Sequence, residues 1–230
     1  MMNLDFYHVF FPQIESPTPG EIRETLQRGF EAEWSTTREG ERDYCWYTDP
    51  ANERYLEKTP TDEAIEGLTR RNGSITLFPA NPDSDFTFKV YDSWSEYGLP
   101  ELGGISLRWH RVHFRNDVET TIQEILDAAT LVYESLSPPF AFSYFPLDVE
   151  RETKVTREDV VNDRIPDAFY LMLLSEGVSG RIGRDQLLSA PAWKTEPLDG
   201  GGVGLVATAD PMKYTPEVKG QLRSHLGLGE

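Results

Sequence analysis

The residues able to do chemistry are few, and their spacing does not assemble a reactive centre. Histidine occurs at 8, 110, 113 and 225, and cysteine only at 45. His110 and His113 stand three apart in a strand-like run, which sends them to opposite faces unless a bulge re-aims one. Zinc needs three or four ligands, and Cys45 has no neighbour at ligand spacing, so no metal site is expected. Ser179, in Gly177-Val-Ser-Gly180, lacks the glycine two residues later that a nucleophile elbow requires. Gly200-Gly-Gly-Val-Gly204 follows an aspartate and lacks the Lys-Ser/Thr pair of a phosphate loop, so it reads as a hairpin turn. Arg181 and Arg184 could hold an anion, but two cations capping short helical turns account for them. Carboxylates are too numerous for spacing to select an acid–base pair. Asp83 and Asp85 flank a turn, while Glu96 and Glu101 share a long loop with Trp94 and Tyr97. Carboxylates beside aromatics would suit glycoside hydrolysis, for which their separation in space is the test. No catalytic residue, metal or cofactor is assigned.

Charge is the strongest compositional fact: 39 acidic against 22 basic residues, a net −17. Nucleic acids and anionic lipids bind through cationic patches, so neither is an expected partner. Lysine is confined to 58, 89, 154, 194, 213 and 219. Two accounts of the acidity stand side by side. A salt-adapted cell favours a carboxylate-rich surface for solubility. Alternatively the acid steers association with one basic protein. No apolar run approaches the ~20 residues of a membrane span, and no secretory signal is visible. With its lone cysteine, the chain is expected in a reducing cytoplasm.

The elements that position these residues are organised around 105–145. Val118, Ile122, Ile125, Ala129, Val132, Tyr133 and Leu136 recur at spacings of three and four, which lines one helix face. Asn116 stands at the N-cap position with Glu119 closing a capping box, and Pro138 and Pro139 stop the helix. The flanks, 105–114 and 140–145, read as strands, the first with a parity slip at His110–Arg111 that suggests a bulge. Ahead of them, 74–78 and 86–91 complete three successive antiparallel strands. The N-terminal part offers a strand over 4–11 and a helix opened by Thr18-Pro19-Gly20-Glu21, with Ile22, Leu26, Gly29 and Phe30 on one face. It adds a short strand over 43–47 and a short helix from Thr59 through Leu68. The C-terminal part offers a helix capped by Thr156, a strand over 169–174 and short helical turns within 178–188. A hairpin of 193–198 with 203–208 and a helix over 216–226 complete it. The pattern predicts one α+β domain over 1–230, a mostly antiparallel sheet covered by amphipathic helices, with a weak boundary near 147–155.

The last third carries a resemblance. Ile165-Pro-Asp-Ala-Phe-Tyr-Leu171, Gly180-Arg-Ile-Gly-Arg184, Leu187-Leu-Ser-Ala-Pro-Ala-Trp193, Leu198-Asp-Gly-Gly-Gly-Val203 and Asp210-Pro211 follow one another in order. This resembles bacterial polymorphic-toxin immunity proteins of the immunity protein 52 and type VI secretion kind, over roughly residues 105–212. Tyr170 stands where that family is expected to carry tryptophan. The resemblance implies a cytoplasmic, non-enzymatic protein that binds a toxin domain and blocks it, with no catalytic residues to carry over. An acidic, aromatic-dotted surface would then face a basic toxin. Trp94, Tyr97 and Glu101, in the loop 92–104, are the expected part of that interface, because aromatics are enriched at binding hot spots. The other readings are a carboxylate-dependent hydrolase and a salt-adapted protein of different role.

Overall fold

The structure is a computed structural model that describes residues 6–36, 47–49, 54–56, 68, 73–79, 84–91, 93–94, 99, 101–110, 117–144 and 155–228. Strand β1 (Phe6–Gln13) is followed by helix α1 (Pro19–Glu31), and then by strands β2 (Tyr47–Asp49), β3 (Arg54–Leu56), β4 (Ser74–Leu77), β5 (Phe86–Tyr91) and β6 (Gly103–His110). Helix α2 (Val118–Leu136) leads to β7 (Phe140–Tyr144), α3 (Arg157–Val161) and β8 (Leu171–Leu174). The chain ends with α4 (Glu176–Ile182), α5 (Arg184–Leu188), β9 (Lys194–Pro197), β10 (Val203–Val206) and α6 (Pro216–Leu226). The strands form one sheet in the order β3-β2-β4-β5-β6-β1-β7-β8-β10-β9, every ladder antiparallel. The expected α+β fold with an antiparallel sheet is the one observed. β7 and β8, on either side of the expected weak boundary, are direct neighbours in it.

β1 is the hinge of the topology. β6 pairs along one side of it and β7 along the other, both antiparallel, so β6 and β7 run parallel with β1 between them. Parallel strands need a long crossover, and α2 is that crossover. The register places Val9, Ser143, Ala141, Leu173, Gly204 and Glu196 on one face of the sheet. Helix α2 lies over this face, where Lys194 of β9 reaches Gln123 of α2. The small side chains of Ser143 and Ala141 leave room there for a helix to approach, while the space over Gly204 is filled by Leu173, Leu198 and Glu196. α1 continues the same layer. Trp34 folds back beneath it and packs edge-on against Phe86 at 5.0 Å. A Cβ on Gly29 would lie 2.1 Å from the Trp34 ring, so this helical turn has to be glycine.

The opposite face presents Phe10, Phe142, Met172, Leu174, Val203 and Leu205, all buried. Ser179 of α4 bonds to the Leu174 carbonyl, and Thr195 of β9 to the Leu188 carbonyl at the end of α5, so the short C-terminal helices lie on this side.

Local rules explain the helix ends. Thr18 and Glu21 form a reciprocal capping box at α1, and Thr156 and Asp159 form one at α3. At α2 the N-cap is Asp117, not Asn116: its carboxylate accepts the Thr120 amide at 3.1 Å and the Thr120 hydroxyl at 2.7 Å. Ser137, with φ 48°, ends that helix ahead of the two prolines. β6 pairs in unbroken register with β1 over 103–110 and with β5 over 104–109, so no bulge interrupts it before His110. Arg111 to Asn116, with the rest of the suspected slip, lie outside the described residues, as do Asp43 to Trp46 and most of the expected helix ending at Leu68. Of the two arginines read as helix caps, Arg181 sits in the last turn of α4 and bonds to the Asn162 carbonyl. Arg184 opens α5 instead, so the dipole argument applies to one of them.

Candidate acidic docking surface

α1, α2 and the edge strand β9 enclose an open groove of about 460 Å³, lined by Arg28, Glu31, Ala32, Asp127, Thr130, Leu131, Glu134 and Glu196. Two of these are apolar, Ala32 and Leu131, and the rest include four carboxylates against one guanidinium. The polar side of α2 supplies much of this charge. That helix contains Glu119, Glu124, Asp127 and Glu134 and no lysine or arginine.

The neutralisation inside the groove is partial and local. Arg28 reaches across from α1, donating to Ser135 Oγ at 3.1 Å and standing 3.6 Å from Glu134 Oε2. Asp127 accepts the Gln123 amide at 2.6 Å, and Gln123 Oε1 in turn accepts Lys194 Nζ at 2.7 Å. Lys194 also meets Glu196 at 3.0 Å. Glu31 accepts a long hydrogen bond from Gln27, 3.3 Å, one turn back. A site of this make-up attracts cations. Its lining holds four carboxylates, Arg28 and the Thr130 hydroxyl, with no histidine or cysteine among them. Among the described residues no cluster of His, Cys, Asp or Glu is arranged to hold a metal ion. No helix of the described residues is long and apolar enough to cross a membrane.

The loop expected to form the interface divides differently. Trp94 is fully buried, its ring 4.8 Å from Phe10 and 6.4 Å from Tyr91. Backbone bonds from Trp94 to Leu102 (2.8 Å) and from Leu99 to Trp94 (3.1 Å) tie the loop down around it. The indole caps the sheet face beside β1 and presents no surface to a partner. The aromatic-rich loop is, at this position, part of the core. Tyr97 lies outside the described residues. Glu101 is exposed in a turn and remains available on the surface. The groove residues were not singled out from sequence, although the absence of any cation along 118–136 was a readable sign of them.

One buried histidine belongs to the same sheet. His8 stacks on Phe10 at 5.6 Å, and burial first, then the positive charges of Arg108 and Lys89, push its pKa down to about 3. It is therefore neutral in the folded protein at physiological pH.

No family model and no curated protein sequence matches the chain. Among solved structures, the Pseudomonas aeruginosa T6SS protein PA0821 superposes on it with a TM-score of 0.51 at 15% identity, over 97% of this chain and 75% of that chain. The two share a fold. The correspondence with the T6SS protein runs through nearly the whole chain, so it includes the N-terminal strands as well as the last third on which the sequence resemblance rested.

Proposed function

We propose that this chain is a non-enzymatic protein-binding module of the immunity type, which neutralises a basic toxin domain by docking it against the acidic α1–α2–β9 surface. The observation that carries the reading is the groove itself: four carboxylates and one guanidinium lining it, in a chain of net −17. The fold shared with a T6SS protein and the order of motifs in the last third support the same reading. Acid concentrated on one face accelerates encounter with a cationic partner and discourages anionic ones.

The test is capture of partners from native lysate on the tagged protein, across a salt series. The expected result is one dominant basic protein, bound near stoichiometrically and released as salt screens the charges. The variant Glu31→Lys with Asp127→Lys and Glu196→Lys should weaken that partner roughly tenfold or more, as like charges face each other at the interface. Alanine at Trp94 is unsuited to this test, because its burial makes it a probe of folding. Unchanged capture by the charge-reversed protein, or empty beads at every salt concentration, would remove the reading. A fall in stability at low salt with no partner would favour salt adaptation instead.

A further inference from the structure

β9 is the last strand of the sheet, and among the described residues nothing pairs with its outer side. Its phase follows from its neighbours. Ala207 N–H bonds Tyr170 O on the β8 side, and Leu198 N–H bonds Gly202 O across the hairpin. Within 194–198 antiparallel alternation therefore turns the backbone of Lys194 and Glu196 towards β10 and leaves the N–H and C=O of Thr195 pointing away from the sheet; the alternation ends at Trp193, whose N–H bonds Ala207 O. The side chains divide in the other direction. Lys194 and Glu196 stand on the α2 face, at the groove, while Thr195 stands on the opposite face against Leu188. Trp193, at the start of the strand, is 38% exposed and Leu188 37%, whereas Trp34, Trp94 and Trp109 are 7%, 0% and 1% exposed. Trp193 is the one tryptophan among the described residues that meets solvent.

We infer that the β9 edge is the docking site for a short, extended, basic segment of the partner. Its main chain pairs with Thr195, its cationic side chains enter the Glu31–Asp127–Glu134–Glu196 groove, and an apolar side chain between them packs on Trp193 and Leu188. The inference rests on the reading proposed above and names where and how that partner is held. Charge selects the occupant. A second copy of this chain would bring another net −17 to an acidic rim, whereas alternating cationic and apolar residues match both faces of the edge at once. Pro197 has no N–H to offer, so the edge accepts a short segment and resists indefinite strand addition.

The probe is the peptide acetyl-Lys-Val-Lys-Val-Lys-amide, with the Glu-for-Lys peptide as control, titrated against the full chain at low and high salt. The expected result is salt-sensitive binding of the lysine peptide alone, with a shift in Trp193 fluorescence and slowed exchange of the Thr195 amide but not of the Lys194 amide. Trp193→Ala should weaken binding roughly tenfold, the usual size of a lost aromatic anchor, measured well below the variant's own Tm because most of the side chain is buried. Binding that disappears on Asp127→Asn with Glu134→Gln, yet leaves the Thr195 amide and the Trp193→Ala variant unaffected, would overturn the edge inference and leave the acidic-surface reading standing. Failure of the wild type to bind the peptide, while a basic lysate protein is still captured, would overturn it in the same way. Indifference of both peptide and lysate partner to the groove charges would overturn both.

Discussion

Two clusters of charge in this protein use the same residue types for opposite ends. Asp167 is 5% exposed and satisfied from three directions: Lys219 Nζ at 2.7 Å, Arg223 Nε at 3.0 Å and the Ala168 amide at 2.9 Å. Lys219 is itself buried, so the cluster locks α6 onto the turn that precedes β8. Tyr214 reinforces it by donating to the Ala168 carbonyl at 2.9 Å. The α1–α2–β9 groove is open, and Arg28 is 40% exposed at 3.6 Å from a carboxylate that is 23% exposed. In the first cluster the chain supplies its own counter-ions and removes Asp167 and Lys219 from water. In the second, two of the four carboxylates meet a cation and the charge stays at the solvent boundary. What separates a structural charge from one offered to a partner is thus burial together with local balance, and neither is visible in composition.

The comparison breaks most directly at Asp167. Asp167→Ala leaves Lys219 buried without its carboxylate, and breaking a buried pair in this way costs about 3–5 kcal/mol. Chemical denaturation at constant m should record that loss, whereas Arg223→Ala, removing a cation that is 41% exposed, should cost far less. A loss under ~1 kcal/mol at Asp167 would put the cluster in the class of surface pairs and dissolve the distinction.

His8 sharpens the same point for a charge the fold refuses altogether. Its folded pKa of about 3 lies below the value of 6.5 for a free histidine. As pH falls through 6.5 the unfolded chain takes up a proton that the folded protein cannot, so stability declines, and the decline continues until pH approaches 3. Between pH 7.5 and 5.5 this one residue should contribute a loss of about 1.4 kcal/mol. His8→Gln should flatten that part of the pH profile, even if it lowers stability at pH 7.5. Parallel profiles for the two proteins would show that His8 is protonated in the fold.

Much of the architecture was legible because it depends on short-range rules. The α6 boundaries, the β9–β10 hairpin around its glycines, the α2 stripe and the two Thr-led capping boxes all follow from neighbours within about a turn. The one-residue difference at the α2 cap has the same origin. Asn116 and Asp117 are adjacent and chemically equivalent as caps, and the choice falls to the one three residues ahead of Thr120. The candidate site is a different matter. Its walls are joined by contacts such as Lys194 to Gln123, 71 residues apart, and no periodicity records that β9 returns beside α2. Trp94 shows the converse: a tryptophan in a polar loop reads as surface until the loop is seen to fold over Phe10.

The smallest expected effects on stability are in the groove, and they decide whether its charge is functional. Asp127→Asn, Glu134→Gln and Glu196→Gln should each change stability by no more than about 0.5 kcal/mol, since exposed pairs gain little from water-screened attraction. Each should nevertheless slow association with a basic partner and flatten its salt dependence, because steering depends on the summed field. Arg28→Ala separates the two roles more sharply than any acid variant. It deletes the tie to Glu134 and Ser135, a loss of at most about 1 kcal/mol, yet it removes the one positive charge lining the groove. A groove that exists for the fold should make this variant worse in every assay. One that exists for a cationic partner should make it slightly less stable and faster to bind, measured as a higher association rate at low salt that converges with wild type as salt is added.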